Sequence, residues 1–145
     1  MSALPTIVAT FMLIGVQTSP KVLHFIPTSE VVRVASMAAR DEGYHPEKES
    51  TYLDELRTAS GKEPIDGYTS IGLYVNDDLV RSYSIRIETG DIVDATACKI
   101  LRYPNLILFK KEVMKSFNSR PASLGEIATE IGCEKLEFVP AGHKE

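Results

Sequence analysis

Residues 67–94 constrain the fold of this chain most strongly, because they have the pattern of two β-strands joined by a tight polar turn. Their sequence is GYTSIGLYVNDDLVRSYSIRIETGDIVD. Asparagine and aspartate at positions 76–78 favour a turn. A second turn at 88–91 contains Gly90, which can supply the positive φ that returns the chain into a following strand. The pattern predicts a small domain built on an antiparallel sheet.

The loop length of this hairpin decides which side chains share a face of the sheet. A three-residue loop at 76–78 pairs Val75 with Leu79 and gathers the apolar side chains on one face, whereas a two-residue loop would scatter them. We therefore predict the three-residue loop. The expected pairs continue as Leu73 with Arg81, Ile71 with Tyr83, and Thr69 with Ile85.

The two faces predicted by this register differ in character. The apolar face carries Val75, Leu73, Ile71, Leu79, Tyr83, Ile85 and Ile87, and the other face carries Tyr74, Gly72, Ser70, Val80, Ser82, Ser84 and Arg86. Arg81 is the charged exception on the apolar face, and we expect it to reach the sheet edge or a carboxylate partner.

Length and charge limit the classes of protein to consider. The chain has 145 residues, which is the length of one domain. Its net charge is −4 and its basic residues are dispersed, so a nucleic-acid partner is not expected. A hydrophobic content of 43% is ordinary for a globular protein.

The N-terminus carries an apolar run at residues 3–16. The run is too short for a transmembrane helix, so no stable membrane span is expected in the mature protein. It has the length of a signal-peptide core, and a polar, helix-breaking QTSP follows it. No basic residue precedes the run and no A-x-A site follows it, so a buried strand is the alternative. Residues 1–20 are interpreted as a signal peptide or an N-terminal apolar segment.

Residues 21–145 are expected to form a single α+β domain. A helix is predicted from Thr28 or Ser29 to about Asp41, while residues 50–57 have both strand and helix features. Pro104 opens an amphipathic helix that ends near Phe117. A Ser-x-x-Glu capping box at 123–126 opens a shorter helix, and residues 136–139 resemble a last strand. The fold class is therefore α+β: an antiparallel sheet of three to five strands, one helix packed on a face, and a two-helix C-terminal extension.

Part of the chain resembles the PepSY-like domains of bacterial envelope proteins. The resemblance covers residues 30–94 and rests on the alanines at 38–39, Gly67-Tyr68, RSYSI at 81–85 and ETGDIVD at 88–94. It implies a helix packed on an antiparallel sheet, and a non-catalytic module that restrains peptidases or binds envelope partners. The resemblance implies no catalytic residue, and it does not cover residues 95–145, the helical extension.

The residues themselves offer little catalytic chemistry. The three histidines, His24, His45 and His143, lie far apart and form no metal-binding spacing, and no nucleophile or phosphate-loop motif occurs. Asp77 and Asp78 have the composition of a solvated turn. Asp91 and Asp94 would need burial and a shared cleft to act as an acid–base pair. We expect no enzyme, no cofactor and no metal.

A binding surface and a covalent link are the features that remain. Tyr74 projects from the predicted outer face near Tyr68 and Arg86, and exposed aromatic residues beside arginine are typical of protein-binding surfaces. The alternative is that another element covers this face. Cys98 and Cys133 would form a disulfide in an exported domain, whereas two buried thiols would suit a cytoplasmic one.

The preferred function is a non-enzymatic protein-binding or peptidase-restraining module of the bacterial cell envelope, and the expected location is secreted or periplasmic. One alternative is a cytoplasmic adaptor or structural protein whose N-terminal run is a core strand. A small hydrolase with an unrecognised acidic site is a weaker alternative. The identity of the protein partner lies beyond the sequence.

Overall fold

The computed structural model describes residues 26–55 and 65–142, which form three helices and six strands. The N-terminal apolar run lies outside the described residues. The helices are α1 (Thr28–Asp41), α2 (Pro104–Phe117) and α3 (Leu124–Ile131). The strands are β1 (Thr51–Glu55), β2 (Tyr68–Val75), β3 (Asp78–Arg86), β4 (Ile92–Asp94), β5 (Lys99–Leu101) and β6 (Glu137–Val139).

The six strands form one mixed sheet in the order β1-β2-β3-β4-β5-β6. Neighbours from β1 to β5 are antiparallel, and β6 is parallel to β5. The α+β class is confirmed, but the predicted sheet of three to five antiparallel strands is wrong. A parallel neighbour needs a long crossover connection, and α2 and α3 supply it.

The helices cover opposite faces of the sheet. On one face, α1 and α2 pack against β1 to β5 in the larger core, to which α2 contributes Leu106, Phe109 and Val113. On the other face, α3 packs over β4 to β6 in a smaller core that includes Val93, Ile100 and Ile127. The expectation of one packed helix and a separate two-helix extension is therefore corrected, because α2 completes the main core. No helix among residues 26–55 and 65–142 is long and apolar enough to cross a membrane.

The β2–β3 hairpin has a two-residue turn, so the predicted three-residue loop is wrong. Val75 pairs with Asp78, and the turn residues Asn76 and Asp77 have φ values of 52° and 67°. Asparagine and aspartate tolerate this left-handed conformation, which a two-residue hairpin turn requires.

A register shift in the hairpin restores the predicted pairing beyond the turn. It lies between Leu73 and Tyr74, and the pairs of Leu73 with Arg81, Ile71 with Tyr83, and Thr69 with Ile85 are confirmed. A bulge admits one extra residue on a strand, and this compensates for the shorter loop. The buried face was therefore predicted correctly for Ile71, Leu73, Tyr83 and Ile85. Next to the turn the prediction was wrong, because the shorter loop pairs Leu79 with Tyr74 and leaves it half exposed, while Val80 packs against the larger core.

Local sequence signals place the helix ends. Ser123 and Glu126 form the predicted capping box at the start of α3, and Gly132 ends that helix in a left-handed conformation. Pro104 lies in the first turn of α2. The buried residues of α1 follow the helical spacing of an amphipathic element: Val31, Val34, Ala35, Ala38 and Ala39.

Candidate functional site

Tyr68 and Arg86, two of the three predicted binding residues, form an internal contact with α3. Tyr68 is buried, and its hydroxyl donates a hydrogen bond of 2.5 Å to Glu130 Oε1. Arg86 donates to the same carboxylate through Nε at 2.9 Å and Nη2 at 3.3 Å. Tyr68 is therefore not a surface residue, which corrects the expected position. Glu130 was not predicted, because only the packing of α3 brings it to the sheet.

The ionisation of these groups reflects their mutual contact. The hydrogen bond from Arg86 lowers the pKa of Glu130 below its usual value, although partial burial opposes it. The same bond raises the pKa of Arg86. Burial, followed by the hydrogen bond to Glu130, raises the pKa of Tyr68. The three groups stay in their ordinary charge states at neutral pH and hold α3 on the sheet.

Tyr74, the third predicted binding residue, lies on the part of the sheet away from α3. Its ring stacks on Tyr52 of β1, with centroids 5.1 Å apart and planes 12° apart. Leu79 is the cross-strand partner of Tyr74 and is 50% exposed, and Tyr52 is 38% exposed. We call Tyr52, Tyr74 and Leu79 the tyrosine face.

A turn carboxylate orients the tyrosine face. The Tyr52 hydroxyl donates a hydrogen bond of 3.0 Å to Asp77 Oδ1. This bond raises the pKa of Tyr52, with smaller contributions from desolvation and from the charges of Asp77, Tyr74 and Asp54. Tyr52 was missed because residues 50–57 have mixed strand and helix signals. The pairing of β1 with β2 places it opposite Tyr74.

A second group of polar side chains joins the end of α1 to the sheet. The Tyr83 hydroxyl donates a hydrogen bond of 2.7 Å to Glu42 Oε1. Arg81 Nε lies 3.3 Å from Asp94 Oδ2, which confirms the expected carboxylate partner, and its guanidinium lies over the Tyr44 ring at 5.6 Å. Burial raises the pKa of Glu42, and the charge of Asp94 and a hydrogen bond with it act in the same direction, whereas the hydrogen bond from Tyr83 and the charge of Arg81 oppose the rise. These contacts attach α1 to β3 and β4.

Asp91 belongs to a different network from Asp94, although both carboxylates are fully buried. Asp91 Oδ1 lies 2.9 Å from Arg102 Nη2 and 3.0 Å from Lys110 Nζ, and Thr89 donates a hydrogen bond to Oδ2. Asp94 Oδ1 instead accepts backbone hydrogen bonds from Thr96 and Ala97. The two aspartates thus have separate partners and link separate parts of the fold.

Cys98 and Cys133 form a disulfide with a Cα–Cα distance of 5.9 Å. Cys98 lies in the turn between β4 and β5, and Cys133 follows the end of α3. The predicted covalent link between the C-terminal helix and the sheet is confirmed. Among residues 26–55 and 65–142, no group of three or more His, Cys, Asp or Glu side chains is placed to hold a metal ion.

Comparisons with known proteins support the fold. No protein-family model matches the chain, and no curated protein matches it. The PepSY resemblance therefore has no support from these comparisons. A solved structure described as a type VI secretion system effector-immunity complex from Pseudomonas protegens contains a similar chain. It is 23% identical with a TM-score of 0.61, over 76% of this chain and 91% of that chain. At that identity, the likeness establishes a shared fold.

Proposed function

We propose that this chain is a non-enzymatic protein-binding module that acts outside the cytoplasm. Its partner is a secreted effector protein, and the partner binds at the tyrosine face. The observation that carries the proposal is the stacked, partly exposed pair of Tyr52 and Tyr74 beside Leu79. Tyrosine supplies a large, rigid contact area at low entropic cost, which is why it is enriched at protein interfaces.

Two further observations support this proposal. The similar chain of known structure comes from an effector–immunity complex, so this fold occurs in a protein assembly of that kind. The Cys98–Cys133 disulfide suits an oxidising compartment, such as the periplasm or the extracellular space. Restraint of a peptidase, which the PepSY resemblance implied, has no comparable support and is not part of the proposal.

The polar clusters favour binding over catalysis. The carboxylates of Glu42, Asp91 and Asp94 each contact structural partners that join helices or turns to the sheet. A catalytic acid or base must reach a substrate proton within hydrogen-bonding distance. The tyrosine face instead presents aromatic and aliphatic surface.

Site-specific photo-crosslinking tests the proposal. A benzoylphenylalanine replaces Tyr74 in one variant and Leu108 in a control variant of the full chain, both expressed in the native host. Leu108 lies on α2, which covers the opposite face of the sheet, and is 59% exposed. We expect position 74 to crosslink one secreted effector protein that position 108 does not capture. The same proteins at both positions, or no crosslink at 74, would overturn the proposal.

A further inference from the structure

We propose that the tyrosine face binds an arginine side chain in a basic segment of the partner. This inference rests on the proposed function, since it names the chemistry that the same face would recognise. Its basis is an oriented aromatic platform next to carboxylates, on a part of the sheet whose strand residues carry no positive charge.

The platform is held before any ligand arrives. The rings of Tyr52 and Tyr74 lie within 12° of parallel, and the Tyr52 hydroxyl is bonded to Asp77 in the two-residue turn. Cross-strand pairing also aligns Tyr52 with Tyr74 and Tyr74 with Leu79. A ligand that binds here orders few side chains, so little of its binding energy is lost to entropy.

Two carboxylates of the described residues lie beside the platform. Asp54 and Asp77 both lie close enough to Tyr52 to influence the pKa of its hydroxyl. The β2 and β3 residues that continue this face toward α3 are Ser70, Gly72, Ser82 and Ser84. Arg81 pairs with Asp94 on the opposite face, and Arg86 is bonded to Glu130 under α3. The face is therefore complementary to a cationic partner.

Arginine matches these features better than lysine does. Its planar guanidinium can stack on a tyrosine ring while its N–H groups donate to a carboxylate. Asp77 accepts the Tyr52 hydroxyl through Oδ1, which uses one of about four hydrogen-bond positions on a carboxylate. The aliphatic part of an arginine side chain can also cover Leu79, which is exposed at the edge of the platform.

Three blocked peptides of sequence Gly-X-Gly-X-Gly test the inference, with X as arginine, lysine or citrulline. Citrulline retains the shape and planarity of arginine but is neutral. Each peptide is titrated into the ¹⁵N-labelled, oxidised full chain, and amide chemical shifts are followed. We expect shifts at residues 52–54 and 74–79, larger affinity for arginine than for lysine, and no saturable binding of citrulline.

Two variants and a control connect this binding to the proposed contacts. Tyr74→Leu should raise the Kd of the arginine peptide about two- to fivefold, the effect of an exposed cation–π contact. Asp77→Asn should also raise it, and asparagine tolerates the left-handed φ of 67° at this position. Leu108→Ala should leave it unchanged. The amide spectra themselves report whether each variant is folded.

Three results would overturn the inference: equal binding of arginine and citrulline, shifts that lie away from the face, or an unchanged Kd in Tyr74→Leu. If another segment of the chain covers the tyrosine face, the titration will give no saturable shifts. That result would also overturn the inference. Capture of an effector at position 74 without arginine binding would retain the proposed function and reject only a basic partner. Arginine binding without such capture would reject the proposed partner and retain the arginine site.

Discussion

Arg86 on β3 and Glu130 on α3 are joined by a hydrogen bond of 2.9 Å between Nε and Oε1, although 44 positions separate them in the chain. The Tyr68 hydroxyl donates to the same oxygen. The Arg86 side chain is 12% exposed, so loss of its charged partner would leave a largely buried guanidinium without its main acceptor. This contact and the disulfide both attach α3 to the sheet, in addition to its apolar packing on β4 to β6.

Glu130→Gln should lower the free energy of unfolding by about 1–3 kcal/mol, because a charged hydrogen-bond acceptor is removed from Arg86. The pKa of Glu130 is lowered in the folded protein, so its contribution is present above the unfolded pKa and is lost as pH falls through the folded value. The destabilisation should therefore shrink in acid. Urea unfolding from pH 3 to 7 measures it, with exposed Glu134→Gln as the control; equal losses in the two variants would contradict the role of Glu130.

Glu42→Gln should show the opposite pH dependence. Burial raises the pKa of Glu42 above its ordinary value of 4.5, so its protonated form is favoured in the folded state. Its contribution to stability is therefore present below the unfolded pKa and is lost as pH rises through the folded value. Relative to the wild type, Glu42→Gln should gain stability as pH rises above about 4.5. Thermal unfolding at several pH values checks this, with exposed Glu49→Gln as the control; a difference that is constant with pH would refute it.

Ile85→Ala should cost about 2–4 kcal/mol, because Ile85 is fully buried in the larger core and its loss leaves a cavity. Leu79→Ala should change stability by no more than about 0.5 kcal/mol, since this side chain is half exposed. The sequence places Ser84 on the outer face of the sheet, but Ser84 is buried and hydrogen-bonded to Ser70. It therefore cannot serve as an exposed control. Guanidinium unfolding compares the variants; similar losses for Ile85→Ala and Leu79→Ala would contradict the observed burial.

Gly90→Ala should be more damaging than Gly67→Ala. Gly90 has a φ of 74° and Gly67 has a φ of 82°. An alanine at either position therefore incurs the left-handed strain of about 1–2 kcal/mol. A Cβ on Gly90 would also lie 2.9 Å from Val113 Cβ and 3.0 Å from Lys110 Cα, whereas one on Gly67 meets nothing within 4 Å. Overpacking should add about 1–3 kcal/mol at Gly90. Chemical unfolding of both variants measures the difference, and equal losses would show that α2 moves away without penalty.

Reduction of the Cys98–Cys133 disulfide should loosen residues 123–139 before the β2–β3 hairpin. The bond spans 35 positions and contributes about 3.5–4 kcal/mol in the chain-entropy model. The hairpin lies outside this loop and retains its core contacts with α1 and α2. Hydrogen exchange of oxidised and reduced protein compares the two regions. Uniform acceleration of exchange in both would indicate that the disulfide stabilises the whole fold together.

The sequence by itself determined the local elements. The capping box at Ser123, the proline that opens α2 and the apolar spacing of α1 predicted these helices, since their signals lie within a few residues of each helix end. The alternation of apolar residues predicted the pairing of Ile71 with Tyr83, because it depends on burial of one strand face. The predicted turn length was wrong, because a bulge compensates for the residue by which the real turn is shorter. The pattern of apolar residues does not show where a bulge lies.

Tertiary structure alone decided which surfaces remain accessible. Tyr68 and Tyr74 lie on one strand face and have similar sequence signals, but Tyr68 lies against Glu130 of α3 while Tyr74 stacks on Tyr52 of β1. The two tyrosines differ in environment because α3 covers Tyr68, whereas β1 places Tyr52 beside Tyr74. Both arrangements depend on contacts between segments that are distant in the sequence. The parallel pairing of β6 with β5 and the separate networks of Asp91 and Asp94 arise in the same way. Periodicity within a segment reports which face is buried, whereas the element that covers this face depends on long-range packing.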